Sequence, residues 1–203
     1  MKETVLYIIR HAQSHPSSSQ YHTEWPLSAV GQQQALTLSN LLDYLIIDKI
    51  YSSPFIRCKQ TIEPFAKREM LDIIVENDLR ERLISIEIID GFYEVWCKSW
   101  GNFEYSLPGC ESSADAQKRF VQIIKKIVDL NQGKTIAIST HGNVIGLFLN
   151  WIDNTLGKKE AEMITNPDVL KVVVKNSTYH WDIEFLLPGI KEISTDYKET
   201  KID

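Results

Sequence analysis

The stretch Leu6-Tyr7-Ile8-Ile9-Arg10-His11-Ala12-Gln13-Ser14-His15 decides how the rest of the chain is read. Its apolar half does not alternate, which marks a strand buried on both faces. It then ends on two adjacent groups, Arg10 and His11, that need water or a partner. A second run repeats the pattern: Thr135-Ile136-Ala137-Ile138-Ser139 is equally unalternating, and Thr140-His141-Gly142 follows it. In open α/β sheets, ligands bind outside the carboxyl ends of the strands. If these two strands are central and parallel, His11 and His141 reach the same edge.

Around these strands, helical and extended patterns take turns. Ser28 caps a helix with an apolar stripe of Ala35, Leu36, Leu38, Leu41, Leu42 and Leu45. Residues 48–52 form a short strand, and Ser53-Pro54 reads as the cap and first position of the next helix. Residues 73–75 form a third strand. Ser112 or Ser113 opens a helix through Phe120, Ile123, Ile124, Ile127 and Val128, stopped near Gly133. Residues 142–151 read as a helix. Residues 169–174 and 179–187 read as two late strands, a hairpin through Lys175-Asn176-Ser177. This order predicts an α/β fold with three α/β/α layers and a mostly parallel central sheet. Residues 82–110 break the rhythm and predict a small helical or loop cap over one end of the sheet. The chain, residues 1–203, is expected to be a single domain, with a peripheral polar tail over 191–203.

Composition narrows the function classes. A formal net charge of -5 argues against nucleic acid and anionic membrane as partners, since both call for stripes of Lys and Arg. No window approaches the roughly eighteen apolar residues of a membrane span. The first residues form a strand pattern without the basic and apolar regions of a signal peptide, so a cytoplasmic protein is expected. Cys58, Cys97 and Cys110 are odd in number and widely spaced, without a CxxC pair or an HExxH helix. They predict free thiols and no metal site. Six residues beyond each stand Pro64, Phe103 and Ala116 instead of the Arg that a cysteine-phosphatase loop requires.

Arg57 follows a strand and falls in the first turn of a helix, which points it at the same edge as the two histidines. Arginines and helix N-termini both favour anions. Two arginines, two imidazoles and several backbone N–H groups then make an oxyanion cage, with phosphate the expected occupant.

The residues at this edge resemble a known family. Arg10-His11-Ala12-Gln13-Ser14 resembles the RHG(E)T signature of the histidine phosphatase superfamily, which includes cofactor-dependent phosphoglycerate mutases. The run Leu27-Ser28-Ala29-Val30-Gly31-Gln32-Gln33-Gln34-Ala35 is similar to its LTxxGxxQA helix. Ser52-Ser53-Pro54-Phe55-Ile56-Arg57-Cys58-Lys59-Gln60-Thr61 resembles SSPxxRxxQT. Leu79-Arg80-Glu81 matches LxE, Pro108-Gly109-Cys110-Glu111-Ser112 is similar to PGGES, and His141-Gly142 matches the late HG. The blocks occur in the family's order. Ala12 replaces the usual Gly and Gln13 the common Glu. Pro16 fits the family's second branch, but Ser14 is not Arg and Gly142 follows His141, so the first branch is expected.

The resemblance implies a mechanism that the chemistry supports. His11 is the expected nucleophile, since imidazole is largely neutral near pH 7 and its N–P bond hydrolyses readily. Arg10, Arg57 and His141 are expected on the equatorial oxygens, where transition-state charge spreads. Glu81 is expected to protonate the leaving alcohol and then activate water, which requires burial to offset the nearby cations. Gly142 lets backbone approach the phosphate, and Ser17 falls where an Asn often touches it. No metal or cofactor is called for. The expected function is hydrolysis of a small phosphomonoester. The alternatives are a cofactor-dependent phosphoglycerate mutase and a non-catalytic phosphate-ligand binding protein.

Phe92, Tyr93, Trp96, Trp100, Phe103 and Tyr105 crowd the cap, where Lys98 is the sole cation between Ile84 and Gln117. They are expected to divide between anchoring the cap and lining a leaving-group pocket. Arg80 and Arg82 read as solvated or ion-paired, and His15, His22 and His180 as surface residues. The late strands leave an edge that could serve a homodimer.

Overall fold

A computed structural model describes residues 2–17, 21–87 and 89–195. They form a six-stranded sheet in the order β3-β2-β4-β1-β5-β6. Its strands are β1 (Thr4–Arg10), β2 (Lys49–Ser52), β3 (Ile73–Val75), β4 (Thr135–Thr140), β5 (Asp168–Lys175) and β6 (Thr178–Asp182). β1, β2, β3 and β4 run parallel, β5 is antiparallel to β1, and β6 to β5. The β5–β6 turn is the expected one, with Asn176 and Ser177 both at positive φ, as a two-residue hairpin turn requires.

Helices cover both faces. They are α1 (Ala29–Leu41), α2 (Ile56–Glu69), α3 (Phe92–Gly101), α4 (Ser113–Leu130), α5 (Gly142–Ile152), α6 (Lys158–Met163) and α7 (Ile190–Ile193). Leu6 and Ile8 of β1 face a core shared with Phe120 and Ile124 of α4 and Ile145 and Phe148 of α5. Ile9 points the other way, into a core with Leu38 of α1, Ile62 and Phe65 of α2, and Ile190 of α7. Side chains alternate across a strand, so burial of both sets explains why β1 reads as a continuous apolar run.

Several expectations are corrected. The second helix begins at Ile56 with Phe55 as its cap, and Ser53 lies before it in the turn. Leu36 is exposed on α1, whose buried stripe is Ala35 and Leu38, followed by Leu42 in the short 3-10 turn beyond. The last strand stops at Asp182, and Leu187 is buried beyond it without being part of the strand. The cap holds a helix, α3, in keeping with the expected helical or loop cap. Residues 191–195 of the expected peripheral tail pack onto the body, with Asn166 and Thr195 exchanging backbone hydrogen bonds of 3.0 and 2.8 Å. Residues 196–203 lie outside the described residues. None of the described helices is long and apolar enough to cross a membrane.

The consequence for the site comes from β5. Because it runs opposite to β1, it begins where β1 ends, with Asp168 paired to Arg10. The loop entering β5 thus joins the loops leaving β1, β2 and β4 at one edge.

Candidate active site

The loop leaving β1 is pinned by its neighbours at nearly every backbone group. The N–H of His11 donates to the carbonyl of Thr140 at 3.0 Å, and its carbonyl accepts from Asn166 Nδ2 at 2.8 Å. The N–H of Ala12 donates to Thr61 Oγ1 at 3.0 Å, and that of Gln13 to Gln34 Oε1 at 2.8 Å. Gly31 lets α1 come close: a β-carbon there would lie 1.9 Å from the Gln13 carbonyl oxygen. Ser28 caps α1 by accepting from the Gly31 N–H and donates to Gln13 Oε1 at 2.7 Å. The residues of the second and third sequence blocks therefore hold the first block in place.

On this platform the His11 ring is buried and oriented. Its Nδ1 lies 2.7 Å from the Ala12 carbonyl oxygen, which can only accept, so Nδ1 carries the proton and Nε2 keeps its lone pair. Arg57 Nε donates to that Nε2 at 3.1 Å. The same guanidinium donates through Nη2 to His141 Nδ1 at 3.2 Å and through Nη1 to the His22 carbonyl at 2.6 Å. The His11 and His141 rings meet edge to face, 5.2 Å between centroids. Ser53 Oγ sits 2.8 Å from His141 Nε2 and also accepts the Phe55 N–H. The Cys58 sulfur lies 3.3 Å from the same nitrogen. Burial pushes the Cys58 thiol up to about 12, so it remains a neutral spacer.

Burial, then Arg57, then further neighbours including Arg10 hold both imidazoles well below the ordinary histidine value. The guanidinium of Arg10 lies close against Gly142, where an added β-carbon would lie 2.9 Å from its Cζ and Nε. Arg10 Nη1 also donates to the carbonyl of Ile164 in the loop before β5. Glu81 lies at the N-terminus of α5. Its Oε1 accepts from the N–H groups of Arg82 at 2.9 Å and Val144 at 3.2 Å, and its Oε2 from that of Asn143 at 3.2 Å. Burial raises its pKa, against the pull of those amides and of Arg57 and Arg10.

A profile of the histidine phosphatase superfamily (branch 1) matches residues 6–184. The chain belongs to this superfamily. It is 27% identical over 158 residues to a probable phosphoglycerate mutase, GpmB, of Shigella dysenteriae, covering 72% of this chain and 74% of that one. Among solved structures it is similar to Bacillus stearothermophilus YhfR at 24% identity, with 92% and 99% of the two chains covered and a TM-score of 0.77. It is also similar to an Entamoeba histolytica phosphoserine phosphatase mutant (18%, 88% and 95% covered, TM-score 0.73). A mycobacterial glucosyl-3-phosphoglycerate phosphatase aligns at 17% identity, 89% and 98% covered, TM-score 0.72.

Within the histidine phosphatase fold, His11, Arg57, His141, Arg10, Gly142 and Glu81 come together as the sequence predicts. The carbonyl of Ser17 accepts from Trp25 Nε1 at 3.0 Å. His22, read as a surface residue, belongs to the site through its carbonyl on Arg57. Arg82 is buried, not solvated. It donates to Ser99 Oγ and Ser113 Oγ, each at 2.7 Å, and to the Glu111 carbonyl at 2.8 Å, tying the cap to the start of α4. Gln34, Thr61, Ser53, Asn166 and Asp168 support the site without having been singled out. For Gln34, Thr61 and Ser53 the signal was present, since each lies inside a family block. Asn166 and Asp168 enter only through the reversed direction of β5.

Proposed function

We propose that the protein is a phosphomonoester hydrolase that works through a phosphohistidine on His11, without a metal, on a small phosphorylated metabolite. The observation that carries this reading is the Nδ1 bond of His11 to the Ala12 carbonyl, which leaves a lone pair on Nε2 between Arg57 and His141. Nε2 attacks phosphorus, and the bond from phosphorus to the leaving oxygen breaks with its electron pair on that oxygen. Glu81 supplies the proton. Arg10, Arg57 and His141 take the equatorial oxygens, with Ser17 the assigned further contact and Gly142 admitting the phosphate against backbone. Water then attacks phosphorus, the P–N bond returns its electrons to Nε2, and Glu81 accepts the water proton.

Arg57 must move for this to happen, because its Nε–H now covers the lone pair that has to reach phosphorus. A phosphate dianion is the better acceptor for a guanidinium, so arrival of substrate frees the nucleophile. The test is turnover of p-nitrophenyl phosphate in EDTA, with labelled phosphate trapped on the protein in an acid-labile, base-stable form. Full activity surviving His11→Ala refutes the proposal.

The relatives named as probable phosphoglycerate mutases favour a second reading, mutase activity. Against it stands the cap, whose single lysine, Lys98, lies over the Tyr105 ring at 5.3 Å and leaves little cationic surface for a carboxylate and a second phosphate. Strong flux between phosphoglycerate isomers after bisphosphoglycerate priming would favour the mutase.

A further inference from the structure

Three polar atoms where the cap meets α5 are buried without a protein partner: Nε1 of Trp100 and both Oδ1 and Nδ2 of Asn143. Buried polar atoms are paired in the great majority of cases, and an unpaired one needs a reason. These belong to one place. Trp100 packs against Gly146 of α5, where an added β-carbon would lie 3.4 Å from Cζ2, the ring carbon two bonds from Nε1. Gly146 is three residues from Asn143, on the same face of the helix. The backbone N–H of Asn143 bonds Glu81 Oε2 at 3.2 Å. Asn143 therefore adjoins, through its backbone, the carboxyl assigned to protonate the leaving oxygen, and Trp100 packs on the next turn of the same helix.

Their chemistry is specific. Trp100 offers one donor, and Asn143 offers two donors and an acceptor. Around them stand aromatic surfaces, with Trp96 and Phe103 edge-on to Trp100 at 6.0 and 5.6 Å. Of the nearby cations, Arg10 and Arg57 are assigned to the phosphate, and the others are engaged elsewhere. Arg82 is held by Ser99, Ser113 and the Glu111 carbonyl, and Lys158 lies between the Tyr93 ring and Glu162. A carboxylate would be left without a counter-charge and would face Asn143 Oδ1. A plain hydrocarbon would leave all three atoms unpaired. A hydroxyl group both donates and accepts, and the C–H face of a sugar or polyol suits an indole.

We infer that Trp100 and Asn143 form the subsite that recognises the leaving group, and that it takes a neutral, hydroxyl-bearing alcohol of the sugar or polyol class. The inference rests on the hydrolase reading above. The atoms are covered here, so α3 must yield as the leaving group enters; its outer end is held by the Tyr93 hydroxyl on Glu162 Oε1 at 2.5 Å.

The experiment compares kcat/KM for glycerol 3-phosphate, propyl phosphate and 3-phosphoglycerate in the wild type, Trp100→Phe and Asn143→Ala. The ratio between substrates cancels any loss common to all. The wild type is expected to prefer glycerol 3-phosphate over propyl phosphate by at least about tenfold, and over 3-phosphoglycerate as well. Either substitution is expected to reduce the first ratio about fivefold to tenfold, the effect of one hydrogen bond to a neutral partner. Equal rates on the first two substrates, a preference for 3-phosphoglycerate, or ratios unchanged in both variants would overturn the subsite. The His11-dependent turnover of p-nitrophenyl phosphate is measured first. Its absence defeats the hydrolase reading itself, whereas flat ratios in an active enzyme defeat only the subsite.

Discussion

Replacing Glu81 by Gln separates two jobs that the carboxyl is assigned. Its oxygens accept three amide N–H groups, at 2.9, 3.2 and 3.2 Å. A glutamine keeps the two bonds made by Oε1 and sets an NH2 group against the Asn143 N–H, so one donor loses its acceptor. That costs about 1–3 kcal/mol of stability. The catalytic cost depends on the leaving group. An alkoxide needs a proton as it departs, so an alkyl phosphate should lose about 10²–10⁴-fold in kcat/KM, the usual range for a positioned acid. That corresponds to about 2.7–5.4 kcal/mol of barrier. p-Nitrophenolate leaves without help, so its release from Glu81→Gln should stay fast for one turnover. Hydrolysis of the phosphohistidine, which needs Glu81 as base, should then limit. Rapid mixing with p-nitrophenyl phosphate should show a burst of one nitrophenolate per active site followed by a slow steady state. The pH profile adds a second reading. In the wild type, kcat/KM should hold to a pH below the ordinary histidine value of 6.5, because His11 is held neutral, and should fall on the alkaline side as Glu81 ionises above its ordinary 4.5. The alkaline limb should vanish in the variant. Equal losses on alkyl and nitrophenyl substrates, with no burst, would refute the assignment.

Gly142→Ala should leave the fold intact while pushing the Arg10 guanidinium away from a β-carbon that would lie 2.9 Å from its Cζ; kcat/KM should fall on the order of tenfold to a hundredfold, checked against an unchanged circular dichroism spectrum. In Ser53→Ala, His141 loses its 2.8 Å partner. Because Arg57 can only donate to Nδ1, the resting tautomer carries its proton on Nε2, and nitrogen-15 spectra should show the Nε2–H of His141 moving from the shift of a bond to oxygen to that of the weaker Cys58 sulfur contact at 3.3 Å, while kcat/KM falls about tenfold. Stability should fall with acidity. His11 and His141 have depressed pKa values in the folded state, so below about pH 6.5 the unfolded chain binds more protons than the folded one, and each histidine removes up to about 1.4 kcal/mol per pH unit until its folded pKa is reached. Glu81, with a raised folded pKa, opposes this nearer its own titration. The difference in urea-unfolding slope between wild type and His11→Ala, measured from pH 7 downward, isolates the histidine, and identical slopes would contradict the neutral ring.

How much of this could be read in advance follows from which interactions are local. The two unalternating strands announced double-sided burial, and together with the parallel order implied by alternating strands and helices that located His11 and His141 at one edge. The stripe on α1 was misjudged at Leu36, which lies about 100° around the helix from Ala35, whereas Leu38 returns to the buried face. Ser53-Pro54 has the composition of a helix start, yet the helix opens two residues later. The reason is not local: the Ser53 hydroxyl is claimed by His141, and Phe55 packs against the same ring at 4.9 Å. Arg82 carries the charge of a surface residue. It is buried because Ser99, Ser113 and Glu111, up to 31 residues away, converge on it. Asn166 and Asp168 depend on the direction of β5, and nothing in the residues around them encodes which way that strand enters the sheet.

The arrangement also revises the electrostatic reason for expecting an anion. A charged His11 beside Arg10 would repel it and leave the pair dependent on an anion. The folded chain meets the difficulty differently. Both imidazoles are kept neutral by burial and by the arginines, and each offers Arg57 a lone pair. The guanidinium is satisfied by two ring nitrogens and the His22 carbonyl, and the resting site contains no opposed charges beyond the arginines themselves. In the proposed reaction, substrate enters by exchange: it takes the donors of Arg57 and leaves His11 Nε2 uncovered. On that reading the bond by which Arg57 is satisfied also covers the proposed nucleophile, which ties exposure of the lone pair to the presence of a phosphate group. An Arg57→Lys enzyme would lose that link, since one ammonium cannot span two rings and a carbonyl. It should bind phosphate more weakly, and the pH at which His11 protonates should rise as the guanidinium beside it is withdrawn.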